Sequence, residues 1–424
     1  MNNWKFYLPD GVLDWLPTDC EAKRLLEADL RGLFAANGYR EIETPAIEFY
    51  DAYAAGDGFA PQEGLFKFFD EKGRILCLRY DGTIPAARLA ATTLRDSTLP
   101  LRLSYIGNMY RYQEYGGGRQ REFTQAGVEL MGCAAPEADA EVIALAIEGA
   151  RRCGIENLQV SLGQVAFFKG LLTDYEIPST DALELQQAID TKQIVALEDC
   201  VAALSLPASV RRVLLMMPEL YGTFDVIEQL RGEIESPLAL GALANLEAVL
   251  RILQADGLLE YISLDLGMLQ SLDYYTGTIF KGFTYGLGFP LFSGGRYDTV
   301  AAAFGRDLSA TGFSIGLNFI LTALRRQRIT LPNATIPTIL LGYSATERAA
   351  AQQYARQLRA AGSKVILDCG QQSEAELKIL AAESRTNAAD SLGAPMEIRY
   401  FAAADDIRLL TPENPEQRTE GAKA

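Results

Sequence analysis

Gln125, Gly127 and Glu129 are spaced two residues apart, and a strand repeats its side chains every two residues, so all three would share one face. Polar groups at this spacing, close to the glycine run Gly116, Gly117 and Gly118, suit the floor of a small-molecule pocket. The same pattern also describes a solvated hairpin. A second chemical fact is an absence: the 424 residues contain no histidine. The commonest general base and the commonest metal ligand are therefore missing. Six cysteines, at Cys20, Cys77, Cys133, Cys153, Cys200 and Cys369, lie scattered with no close pair. They argue against a zinc site or a disulfide framework and fit a reducing cytosol. No metal and no cofactor are expected.

The polar face needs a hairpin to carry it. From Arg102 to Gly132 apolar and aromatic residues alternate over Leu103–Tyr110, a glycine loop follows, and alternation resumes at Phe123, which predicts two long antiparallel strands with a wide, mobile tip. Upstream, Leu25, Leu26, Leu30, Leu33 and Phe34 recur at helical spacing between Asp19 and Asn37, and Gly38 ends that helix. Residues 39–45 read as a strand leading to a corner at Pro45, 56–70 as a loop, and 74–78 as a strand feeding the turn Asp81-Gly82-Thr83. A helix is expected over 85–94, with Thr83 placed to cap it. Further on, the pattern predicts a helix over 138–153, a strand over 158–162, and wholly helical structure over about 175–258, broken at Pro178, Pro207, Pro218 and Pro237. Strands follow at 260–266, 274–284 and 290–297, then a closing helix over 313–328. Residues 336–411 alternate strands and helices as a small α/β domain does, and 412–424 form a polar tail.

Four stretches resemble the class II aminoacyl-tRNA synthetases, specifically the histidyl enzyme. The hairpin is similar to motif 2. Leu78-Arg79-Tyr80-Asp81-Gly82-Thr83 is similar to the segment that holds the amino group of the amino acid. Leu272-Asp273-Tyr274-Tyr275-Thr276-Gly277 resembles the histidine-specific signature, and Gly294-Gly295-Arg296-Tyr297-Asp298 with Gly312-Phe313-Ser314-Ile315-Gly316-Leu317 the approach to motif 3. All four stand in family order. The resemblance implies an α+β fold: residues 1–335 as a synthetase-like antiparallel sheet flanked by helices and interrupted by the insertion, and 336–411 as the counterpart of the anticodon-binding domain. It also implies a homodimer, seamed by the first helix and the strand before Pro45.

Aminoacyl activation brings a carboxylate onto the α-phosphate of ATP, so the site needs fixed cations, for which arginine's planar fork is suited. The family uses three arginines, and only Arg111, in motif 2, has a counterpart here. Gln113 replaces the glutamate used on adenine, Asn318-Phe319 replaces the Glu-Arg pair of motif 3, and Gln270-Ser271 replaces the Arg-Gly before the tyrosine pair. One arginine that stabilises phosphoryl-transfer charge is worth roughly 10³–10⁵ in rate, and losing two leaves negligible activation. The amino-acid side differs. Thr83, Gln125, Glu129, Tyr274 and Tyr275 match positions that hold the amino group and imidazole of histidine, and Asp81 shortens the family's glutamate while keeping its charge.

A histidyl-synthetase-like chain without the activating residues resembles the regulatory subunits of ATP phosphoribosyltransferase. That resemblance implies a chain with no catalytic residue, which activates a short-form catalytic subunit in the first step of histidine biosynthesis and relays feedback by free histidine. The ligand-binding residues would be Asp81, Thr83, Arg111, Gln125, Glu129, Tyr274 and Tyr275, and the assembly a hetero-octamer containing homodimers. The rival is an active histidine–tRNA ligase with a displaced arginine. A net charge of −16 weighs against tRNA as a partner, because phosphate neutralisation dominates nucleic-acid affinity. No apolar run reaches the ~18 residues of a membrane span and no export signal is visible, so a cytoplasmic chain is expected.

Overall fold

A computed structural model describes residues 4–54, 59–112, 120–269, 274–332, 338–379, 396–403 and 406–410. Two compact units are found, one of Met1–Leu13 with Leu26–Leu331 and one of Asp14–Leu25 with Pro332–Ala424.

In the larger unit β1 (Arg40–Glu41) is followed by β2 (Ile47–Phe49), β3 (Lys67–Phe69) and β4 (Ile75–Leu78). The last three make a small antiparallel sheet in the order β2-β4-β3. The hairpin consists of β5 (Leu101–Tyr110) and β6 (Glu122–Met131); its expected mobile tip, 113–119, lies outside the described residues. Then come helix Pro136–Arg152, β7 (Leu158–Gln164), the insertion with β8 (Tyr221–Gly222), β9 (Ile262–Asp265), β10 (Thr278–Thr284), β11 (Phe292–Arg296), β12 (Ala310–Gly316) and helix Leu317–Arg326. Among the described residues they assemble one large sheet in the order β1-β5-β6-β12-β11-β10-β7-β9-β8. The run from β5 to β7 is antiparallel, as expected; β1 joins β5, and β9 joins β7, in parallel, so the whole is a mixed sheet. One face packs on helices through aromatic contacts, Phe313 of β12 meeting Phe34 of helix Pro17–Ala36 edge-on at 6.0 Å. The other face carries the site.

Several elements differ from the sequence reading. Residues 313–316, expected to open the closing helix, belong to β12, a central strand buried on both faces, where the polar–apolar alternation that betrays a strand is absent. The strand before Pro45 is only two residues long, because the chain leaves the sheet for the proline corner. The segment expected to be a loop contains β3, and the insertion, expected to be wholly helical, contributes β8 to the sheet edge. Helix Thr83–Ala91 starts two residues early, and its free amide at Ile84 is capped by Asp81 Oδ1 at 3.1 Å; the cap expected of Thr83 is absent. Helix Pro237–Ala255 of the insertion is long and apolar enough to cross a membrane, but it buries Leu243, Leu246, Val249, Leu250 and Leu253.

The smaller unit contains β13 (Thr338–Tyr343), helix Arg348–Ala360, β14 (Lys364–Leu367), a helical turn at 374–379, β15 (Met396–Ala403) and β16 (Asp406–Leu410). The order is β14-β13-β15-β16, parallel except for β16, which is the expected α/β pattern. The tail expected at 412–424 lies outside the described residues.

Close approach makes some glycines irreplaceable. A Cβ at Gly294 would stand 2.3 Å from the Gly312 carbonyl and 2.6 Å from the Phe280 ring, whereas one at exposed, helical Gly241 meets nothing within 4 Å. Gly294→Ala should therefore cost about 2–3 kcal/mol in urea unfolding, while Gly241→Ala should gain about 0.5–1 kcal/mol.

Candidate functional site

On the site face the strands are paved with small residues. Tyr105, Gly127, Ser314 and Ser293 lie in register as one row across β5, β6, β12 and β11, and Leu103, Glu129, Gly312 and Gly295 form the next. Glycine and serine where other strands carry bulk leave a hollow, a cavity of about 300 Å³. Gly127 has a stricter reason to lack a side chain. Its Cβ would lie 2.5 Å from the Tyr105 hydroxyl, and one at Gly82 would lie 2.1 Å from the same ring. The ring is thus wedged between two glycines.

Asp81, Thr83, Arg111, Tyr274 and Tyr275 line this cavity together, with Tyr80 and Tyr297. The Arg111 Nε donates to the Tyr80 carbonyl at 3.1 Å, and its guanidinium lies 4.4 Å from the Tyr80 ring centre and 5.1 Å from that of Phe123. Aromatic faces fix the charge without neutralising it, so the fork can still meet an oxyanion. Asp81 is buried, which pushes its carboxyl pKa up against the pull of its amide bonds and of Arg111. Tyr274 packs on Tyr275 at 4.7 Å and edge-on to Tyr297 at 6.1 Å.

The remaining two expected site residues lie elsewhere. Glu129 stands on the site face but does not line the cavity; it is 1% exposed and accepts hydrogen bonds from the hydroxyls of Tyr297 and Tyr105, the latter at 3.2 Å. The Thr83 side chain bonds into the same group, so Thr83 and Tyr297, which line the cavity, both reach Glu129 directly. Burial drives its pKa up to about 8, against the pull of these donors. Gln125 lines an adjoining lobe of about 280 Å³, which shares Arg111, Ser293 and Ser314 with the first. Among the described residues its buried Oε1 has no hydrogen-bond partner, leaving an acceptor for a ligand N–H. Sequence reasoning assigned no role to Tyr105, Tyr297, Ser293 or Ser314. Tyr297 stood in a quoted motif, but only the sheet register aims it at Glu129.

Three comparisons bear on this geometry. The histidyl-tRNA synthetase family model matches residues 11–320. The ATP phosphoribosyltransferase regulatory subunit of Acetivibrio thermocellus is 46% identical over 368 residues, 87% of this chain and 88% of the relative. That of Moorella thermoacetica is 39% identical over 389 residues, covering 91% and 98%. The chain belongs to the histidyl-tRNA synthetase-like family of ATP phosphoribosyltransferase regulatory subunits. A Bacillus halodurans structure described as an ATP phosphoribosyltransferase regulatory subunit/histidyl-tRNA synthetase superimposes with a TM-score of 0.82 at 32% identity, over 95% of this chain and all of that one. Histidyl-tRNA synthetase from Nostoc sp. shares the fold, with a TM-score of 0.77 at 21% identity over 94% of this chain and 92% of its own.

In this family member the second lobe is aromatic. Phe319, where the synthetase pattern has an arginine, stacks on Phe123 at 6.2 Å and meets Phe289 edge-on at 4.7 Å. Asn318 Oδ1 accepts from the Thr124 amide at 3.0 Å, and its side-chain amide donates to Gln120. Both substituted side chains are thus tied into packing and hydrogen bonds. The other substituted positions, Gln113, Gln270 and Ser271, lie outside the described residues.

A carboxyl whose pKa is higher folded than unfolded takes up protons on folding, so its contribution to stability is lost as pH rises from the unfolded value towards about 8. Thermal unfolding of the ligand-free chain should show this loss between about pH 5 and 8. Glu129→Gln, which mimics the protonated acid, should flatten the slope relative to the parent; an unchanged slope would mean that Glu129 is already ionised in the fold.

Proposed function

We propose that this chain is a non-catalytic, cytoplasmic regulatory subunit that activates a short-form ATP phosphoribosyltransferase in the first step of histidine biosynthesis and carries feedback by free histidine. The observation that carries this reading is the contrast between the two lobes. One keeps a carboxylate, a guanidinium and a cluster of tyrosines around a cavity of amino-acid size, while the other has an aromatic side chain where phosphate would need a cation.

Histidine suits the first lobe by charge and shape. Arg111 would take its carboxylate in a bidentate pair, and Asp81, whose burial raises its pKa, would gain in the α-ammonium an opposite charge that favours its carboxylate form. The tyrosine faces would enclose the imidazole. Glu129 would act through Tyr105 and Tyr297 or, by a small shift of Thr83, directly. Gln125 Oε1 offers an acceptor on the side of the second lobe. The names of the relatives support the partnership with a catalytic subunit. A homodimer within a hetero-octamer follows as part of the same proposal, as does the absence of tRNA from the list of partners.

Mixing the purified chain with a short-form catalytic subunit tests the whole reading. Phosphoribosyl transfer should rise on mixing and fall when histidine is added. Histidine-dependent ATP–pyrophosphate exchange by the chain alone would instead make it a ligase. Within the site, Arg111→Gln should raise the calorimetric Kd for histidine about 30-fold or more, as expected when one partner of a buried charge pair is removed.

A further inference from the structure

The pocket tyrosines are held from the side of the helical insertion. Upstream of them, the end of β9 and the residues after it run along the insertion. Tyr221 of β8 pairs with Asp265, the Leu266 amide donates to the Leu220 carbonyl at 3.3 Å, and a Cβ at Gly267 would stand 2.8 Å from the Met217 carbonyl. The Leu269 amide then donates to Asp190 Oδ1 at 3.2 Å, and Asp190 is the last residue of helix Ser179–Asp190. Met268, between these anchors, is buried in the same apolar cluster as Tyr274 and Tyr275.

Downstream, the hold comes from helix Val165–Asp174. Lys169 Nζ donates to the Tyr275 carbonyl at 2.8 Å. That helix is clamped to the insertion's long helix, since Asp174 Oδ2 accepts from Ser236 Oγ at 2.5 Å and from the Leu238 amide at 3.0 Å. Gly170 lets the two backbones close, because its Cβ would lie 2.7 Å from the Ala239 nitrogen. Neither Lys169 nor Asp190 lines the cavity.

We propose that Asp190 and Lys169 are positioning residues that couple the ligand pocket to the helical insertion, so that filling the pocket orders the insertion and disturbing the insertion weakens the pocket. The physical basis is linkage: if the insertion's contacts select the bound position of Tyr274 and Tyr275, a ligand of those tyrosines stabilises the contacts by the same factor. The insertion then becomes a surface on which pocket occupancy can be read. The identity of the ligand rests on the histidine reading above; the coupling itself does not.

Hydrogen exchange of the full-length chain, with and without histidine, tests this together with calorimetry. In the ligand-free protein, Asp190→Asn and Lys169→Met should each speed exchange across residues 276–280 by about tenfold, and each should raise the Kd for histidine about fivefold or more. In the parent, histidine should slow exchange in helix Ser179–Asp190 and at Tyr221–Gly222. Glu198→Gln, on an exposed part of the insertion, should change none of these. Exchange effects confined to the substituted residues' own bonds, with histidine affinity unaltered, would overturn the coupling. Failure of histidine to bind the parent would overturn the histidine reading, and exchange in the ligand-free variants would still decide the coupling. Lys169→Met reports from the other end of the segment should Asp190→Asn fail to fold.

Discussion

A pleated sheet normally fills the space above it with its own side chains, and this one does not. Gly127, Gly295, Gly312, Ser293 and Ser314 fall side by side on the site face of its central strands, and Gly312, Ser293 and Ser314 line the pocket. The constraint is strict because the space is shared. A Cβ at Gly312 would lie 1.9 Å from Glu129 Oε2, and Tyr105 occupies the room above both Gly127 and Gly82. Removing bulk from the strands therefore makes room both for the cavity and for the Tyr105–Glu129–Tyr297 hydrogen bonds beside it.

That buried group explains why the two carboxylates differ in character. Glu129 is sealed beneath hydroxyl donors, where burial outweighs them and favours the neutral acid. Asp81 lies at the cavity wall, tied to the start of helix Thr83–Ala91 by the cap on Ile84 and within the field of Arg111. The helix cap and the ligand wall are thus the same side chain, which ties local folding to the shape of the site. Arg111 sits at the junction of the two lobes with aromatic rings beside it, the one cation among the described residues that lines both.

The second lobe is walled in part by a side chain that differs from the synthetase pattern, Phe319. Asn318 and Phe319 are not loose replacements. The amide stitches β6 to helix Leu317–Arg326 through the Thr124 nitrogen, and the ring completes an aromatic group with Phe123 and Phe289. A phosphate would find apolar faces there, with Arg111, among the described residues, the one cation in the lining to offset its desolvation. In the first lobe Asp81, Thr83, Tyr274 and Tyr275 remain together with Arg111.

Much of this was legible in the sequence because it depends on local periodicity or on motif identity. The hairpin, the helices flanking the sheet, the α/β pattern of the smaller unit and the family itself could be read from alternation, helical spacing and quoted motifs. What failed had a common cause. Strand β12 is covered on both faces, so nothing in its polarity pattern marks it as a strand, and β8 is too short to show a period. The division of the expected site residues between a cavity wall, a neighbouring lobe and a buried position behind the tyrosines depends on which strand lies beside which, and a chain read in order carries no such information. Residue types and spacing by themselves determined that polar groups share one strand face, and the resemblance to the histidyl enzyme implied that two activating arginines are missing. Only the tertiary structure decided that the hydroxyls of Tyr105 and Tyr297 meet on Glu129, because that follows from the pairing of β5, β6, β12 and β11 across more than a hundred residues of intervening chain.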